Sequence, residues 1–97
     1  MPNSLIPADM TLEPNLNLMA AAPLAQKLTD NLNSPIELNA AQVSHIDQPC
    51  LQILIAAARQ WHSSGVDFQI TNMSEGFLEC LKSIGLSPSI FTNEDFA

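Results

Sequence analysis

The sequence predicts a small α/β domain with a largely parallel sheet. Three observations carry this. Short apolar stretches of strand length alternate with longer segments of helical periodicity, the pattern of βαβ units. The stretch "VDFQIT" sets Val66, Phe68 and Ile70 against Asp67, Gln69 and Thr71, the period of a half-buried strand. The length of 97 residues suits one compact domain spanning the whole chain, with one core and no room for a deep enzyme cavity as well.

The elements follow in order. "SLIPADMTLEP" holds two extended pieces, Ser4–Ile6 and Met10–Leu12, separated by Pro7 and stopped by Pro14. "NLNLMAAAPLAQKLTDNL" enters a helix on which Leu24, Leu28 and Leu32 recur at four-residue spacing. Pro23 fits a helix best in the first turn, where its missing N–H costs nothing. This sets the start near Ala20–Ala22 and the end near Asn33. A strand is expected at Pro35–Leu38 and a second extended piece near Val43. A helix over Pro49–Ser63 then closes at Gly65. After the strand "VDFQIT", "SEGFLECLKSIG" reads as a helix capped by Ser74 and ended by Gly85. Phe77, Cys80, Leu81 and Ile84 form its expected buried face. "SIFTNEDFA" adds a short edge strand at Ile90–Thr92 and an acidic tail over 93–97. Crossovers between parallel strands are expected to be right-handed.

Ten acidic residues stand against three basic ones, Lys27, Arg59 and Lys82, for a net charge of −7. Such a surface repels nucleic acid and anionic membrane and suits a protein partner. No apolar run approaches the ~20 residues of a bilayer span. The first residues lack the basic-then-apolar pattern of a secretory signal. Cys50 and Cys80 sit inside apolar patterns, so free buried thiols and a cytoplasmic location are expected.

On a helical wheel for Gln48–Ser63, one broad arc carries Cys50, Leu51, Ile53, Leu54, Ala57, Ala58 and Trp61. The other carries Gln48, Gln52, Arg59, His62 and Ser63, with Ile55 in its middle. A lone exposed isoleucine is ordinary. The reading with functional content is an apolar anchor for a partner, ringed by Gln52, Arg59 and His62. At the other end, Pro49 has a φ already suited to a first helical position, and the Asp47 carboxylate stands ahead of free backbone N–H groups.

"VSHID" running into "LQILIAAARQW", followed by Gly65, "VDFQIT" and "SEGFLECLKSIGL", resembles the STAS family, named for sulphate transporters and anti-sigma-factor antagonists. The resemblance runs from about Met10 to Pro88. It implies a four- or five-stranded mixed sheet with helices packed mainly on one side. In anti-anti-sigma members the loop before this helix reads Asp-Ser-Ser/Thr-Gly, and a partner kinase phosphorylates the second hydroxyl residue. Here the stretch reads Asp47-Gln48-Pro49-Cys50, so the acceptor position falls on Pro49, which has no hydroxyl. Ser44 is the nearest hydroxyl and a weak substitute.

Other chemistry finds little support. His45 and Asp47 share a strand face but are too few ligands for a metal. Cys50 lies in the apolar arc, far along the helix from His62, and lacks a base. Gly65, Gly76 and Gly85 are isolated, so no phosphate loop exists. No cofactor, metal or catalytic residue is expected.

The expectation is a non-enzymatic interaction module of bacterial signalling. STAS domains with a degenerate loop resemble those beside chemotaxis histidine kinases, and that kinase class is the expected partner. Binding would use His45, Asp47, Gln48, Pro49, Gln52, Ile55, Arg59 and His62, without phosphorylation of the domain. A cytoplasmic STAS subunit of a lipid-transport ATPase is the alternative. An anti-sigma-factor antagonist is a further one, disfavoured by Pro49. An edge strand or the Ile55 patch leaves homodimer formation open.

Overall fold

In the computed structural model, residues 8–32 and 34–91 are described. Strand β1 (Ala8–Thr11) leads through Pro14 into a two-residue strand, β2 (Asn15–Leu16), and then helix α1 (Leu18–Asp30). The same succession follows: β3 (Ile36–Asn39), a two-residue β4 (His45–Ile46) and helix α2 (Gln48–Ser63). Strand β5 (Phe68–Thr71), helix α3 (Glu75–Ser83) and a 3-10 helix (Pro88–Phe91) complete the described chain.

The expected single mixed sheet is replaced by two parallel ones. The larger has the order β1-β3-β5, with Ile36 paired to Ala8 on one side and Phe68 on the other. The smaller is β2 with β4, Asn15 against His45 and Leu16 against Ile46. All pairs run parallel because each return passes through a helix, as βαβ connections require. In β3 and β5 the alternate residues Ile36, Leu38, Phe68 and Ile70 are buried, and Glu37, Asn39, Gln69 and Thr71 are only half-buried. One face of the larger sheet therefore meets the core, as expected for helices gathered mainly on one side.

Helix α2 lays Cys50, Leu51, Leu54, Ala57, Ala58 and Trp61 into that core. Five of these are aliphatic or small, and Trp61 closes the end of the face. Its ring centroid stands 5.7 Å from that of Phe68, and its indole N–H donates to the Ser34 carbonyl at 2.6 Å. A buried tryptophan with its polar edge satisfied is a core residue.

Several local expectations differ from the structure. Helix α1 begins at Leu18, two residues early, because the Asn17 side chain accepts the Ala20 N–H at 3.2 Å and caps it. Pro23 thus lies in the second turn. The bond it removes would have ended on the carbonyl of Met19, a residue 84 % exposed, where water can replace it. Leu32 lies beyond the helix end and is exposed. Val43 is buried but not in a strand; the extended pair is His45–Ile46. Ile84 is exposed rather than buried, because it is the C-cap of α3 and leaves the helical register. Cys80 is half-buried.

Ile90 falls in a 3-10 helix instead of an edge strand. That turn drives Phe91 into the core, with its ring centroid 5.9 Å from that of Phe77. Ser4–Ile6, Thr92 and the acidic tail lie outside the described residues.

Helix α3 is seated on the loop before β4. Ser74 caps it, accepting the Phe77 N–H at 3.1 Å and donating its hydroxyl to the Val43 carbonyl. Gly76 then passes so close that a Cβ there would stand 2.8 Å from the Ser44 carbonyl oxygen and 3.1 Å from that of Val43. Both neighbours are backbone and cannot swing aside.

Gly76→Ala should therefore lower the unfolding free energy by about 1–3 kcal/mol, as overpacking does, read by chemical denaturation. Leu54→Asp should leave no cooperative unfolding transition by circular dichroism, since Leu54 is fully buried and nothing there can pair a charge.

Candidate partner-binding site

The site is built where β4 turns into α2. The Pro14 carbonyl accepts the Ser44 N–H at 2.8 Å, the His45 N–H at 3.2 Å and the Ser44 hydroxyl at 3.0 Å. Two residues on, the Asp47 N–H donates to the Leu16 carbonyl at 2.8 Å. The chain entering α2 is thereby tied to the chain entering α1, and the two helix N-termini lie side by side.

Asp47 holds the extended backbone of an N-cap, φ −84° and ψ 160°, and its carbonyl accepts the Leu51 N–H at 3.0 Å. Its carboxylate does not cap the helix. It meets the His45 ring instead, Nε2 to Oδ1 at 2.5 Å. His45 and Asp47 are alternate residues of one extended stretch, so their side chains share a face. Both are open to solvent, which makes this pair a weak contributor to stability. Its effect is on orientation: the first turn of α2 is left without a side-chain cap.

Gln48 and Pro49, the first two residues of α2, are exposed. Pro49 takes the second helical position rather than the first. Its missing N–H still costs nothing there, because the first helical N–H groups have no intrahelical acceptor. Ser44 is exposed too, but its hydroxyl is turned to Pro14. Cys50 points inward. It is fully buried, and its thiol donates to the Asn17 carbonyl at 3.3 Å. Burial, with the negative charges of Asp47 and Glu13 adding to it, pushes this thiol above its ordinary pKa. The reactive thiolate is suppressed accordingly. Among the described residues no cluster of three His, Cys, Asp or Glu side chains could hold a metal.

From this end a stripe runs along α2 through Gln48, Gln52, Ile55, Arg59 and His62, a length of about 21 Å at 1.5 Å per residue. Gln48, Gln52 and Arg59 are exposed and His62 is half-buried. Ile55 departs from the exposed anchor expected of it. It is half-buried and packs on the core, because the segment after α3 returns beside α2. A groove of about 400 Å³ results, lined by Ile55, Ala58, Arg59, His62, Leu86 and Ile90.

Two parts of this surface had escaped sequence reasoning. Leu86 and Ile90 lie far along the chain from α2, and only their return places them there. Leu18 and Met19, 67 % and 84 % exposed, start α1 next to the open end of α2. A signal for them was present: "NLN" before α1 and "HID" before α2 are both two-residue strands followed by Asn or Asp as N-cap.

These features define a class: a small parallel α/β domain whose exposed face is a β–α junction and one helix stripe. Residues 4–91 match the family model described as "Mlab, STAS domain", and the chain belongs to the STAS domain family. Members are protein-interaction modules of the anti-sigma-antagonist type and are generally non-enzymatic. No curated protein matches the chain, and no solved structure does. No helix among the described residues is long and apolar enough to cross a membrane.

The burial of the two thiols differs enough to be read directly. In the native protein, iodoacetamide should modify half-buried Cys80 first and leave Cys50 intact until denaturant is added, as mass spectrometry of tryptic peptides would report.

Proposed function

We propose that this chain is a non-enzymatic docking module that binds a bacterial signalling histidine kinase, of the chemotaxis type, without being phosphorylated. The surface used is the β4–α2 junction, His45, Asp47, Gln48 and Pro49, continued by Gln52, Ile55, Arg59 and His62. The observation that carries this reading is the open first turn of α2. Its Asp47 carboxylate is engaged by His45, its Gln48 and Pro49 face solvent, and its second residue has no hydroxyl. The junction is open to a partner, and the position where the family's phosphoryl acceptor would fall is Pro49, which has no hydroxyl. Binding of this kind would modulate the kinase by occupancy alone. A net charge of −7 favours a protein partner over nucleic acid or an anionic membrane.

A second reading has one observation in its favour. Exposed Leu18 and Met19 beside the junction widen it into a more apolar face. Permanent subunits use such faces more than transient signalling partners do. A STAS subunit of a lipid-transport ATPase would fit that description.

Two experiments test the first reading. Incubation with the cognate kinase and radiolabelled ATP should leave the chain unlabelled; label on Ser44 would overturn the unphosphorylated docking scheme. Gln48→Arg combined with Gln52→Arg should weaken kinase binding by about tenfold or more in calorimetry. The same pair should change stability by no more than about 0.5 kcal/mol, since both positions are exposed. Unchanged kinase affinity would move the interface elsewhere, and co-purification with an ATPase would favour the second reading.

A further inference from the structure

The docking reading uses the α2 edge of the groove, Ile55, Arg59 and His62, and leaves Ala58, Leu86 and Ile90 without a role. The apolar walls of the groove are Ile55, Ala58, Leu86 and Ile90, and its volume of about 400 Å³ could take about a dozen non-hydrogen atoms at ~30 Å³ each. That is the bulk of two or three aliphatic side chains. A second hollow of about 310 Å³ adjoins it, lined by Gln52, Ile55, Ala56 and Arg59. The two share Ile55 and Arg59. Together they form a trough from Gln52 to His62, about 15 Å along the helix axis. An amphipathic helix of about three turns lies along a trough of this length, with apolar side chains on one side.

Among the described residues that line it, the trough carries formal charge of one sign only. Among the described residues, Arg59 is the only lysine, arginine, aspartate or glutamate lining either hollow, and it is exposed. It sits where the two hollows meet. The rest of the chain is acidic, with a net charge of −7. A basic segment would be drawn to the molecule at large and then be set against Arg59 at this place. A second copy of the chain would bring −7 against −7. An acid-bearing apolar segment alone is matched locally, because its carboxylate falls on the guanidinium while its apolar side chains leave water.

Resting on the protein-docking reading above, we propose that this trough receives an acidic amphipathic helix of the partner. Its large aliphatic side chains fill the space between Ile55, Leu86 and Ile90, and an Asp or Glu carboxylate pairs with Arg59. The open end at Pro49 then contacts the body of the partner, and the trough holds one helix of it.

The test is a selection of random peptides on phage against the full chain, at about sixteen residues so that a helix can form. Enriched peptides should carry Asp or Glu three or four positions from a pair of Leu, Ile or Phe. Synthetic copies should shift the amide resonances of Ile55, Ala58, Leu86 and Ile90. Arg59→Glu should weaken them about tenfold or more, and replacing the peptide's acid by Lys should restore binding to that variant. Circular dichroism of Arg59→Glu checks that the fold is intact. No enrichment, acid-free binders, or equal affinity for Arg59→Glu would overturn the proposal. Acidic peptides that shift the Asp47 and Gln48 amides instead would also overturn it, yet leave the docking reading standing. That reading fails separately, through the Gln48 and Gln52 variants with the intact kinase.

Discussion

The carbonyl oxygen of Pro14 is the point on which the β4–α2 junction depends. It takes two backbone N–H groups and one hydroxyl from Ser44 and His45. A two-residue strand has almost no ladder of its own, so β2 and β4 would pair weakly without that anchor. With it, the chain entering α2 cannot slide along the chain entering α1. The same loop is held from the other side by α3, through the Ser74 hydroxyl on the Val43 carbonyl and the close passage of Gly76. The β4–α2 junction is therefore clamped between two elements while its side chains remain open to solvent. A loop held in this way can present a recognition surface without first being ordered by the partner.

The electrostatics of the junction follow from that clamp. Asp47 occupies a capping position in backbone geometry, but its carboxylate is within reach of His45 and goes there. A helix start with a free first turn is a receptive place for polar groups of another molecule. Pro49 fits its position for the same reason that it cannot be a switch: it needs no N–H and offers no hydroxyl. The buried neighbour Cys50 contributes packing and a thiol hydrogen bond to Asn17, which ties α2 to the start of α1. Under the docking reading proposed above, this junction would serve recognition alone, since Pro49 offers no hydroxyl and the Cys50 thiol is buried.

The two ends of the α2 stripe offer different things to a partner. The junction end is polar and rimmed by the exposed pair Leu18 and Met19. The far end is an apolar trough in which Arg59 is the one lysine or arginine among the described lining residues. A partner that engaged both would be held over about 21 Å of helix, with register set by the position of Arg59.

Much of the domain could be read from the sequence because it depends on residues close together in the chain. Alternation in "VDFQIT" set the strand, spacing on Gln48–Ser63 set the buried arc, and Ser74 announced the cap of α3; each signal is complete within one element. The loss of the hydroxyl at Pro49 needed no structure at all. What escaped was the pairing of strands too short to show a period, hence the division into two sheets and the company of Leu18 and Met19 at the junction. The start of α1 was missed for a related reason: Pro23 was weighed by its local cost, and the Asn17 cap with a solvent-facing turn outweighed it. Ile55 shows the limit most plainly. Its place on the helix was legible, but its burial was decided by Leu86 and Ile90, which reach it only when the chain folds back after α3. Periodicity says which way a side chain points, and only the packed chain says what it meets there.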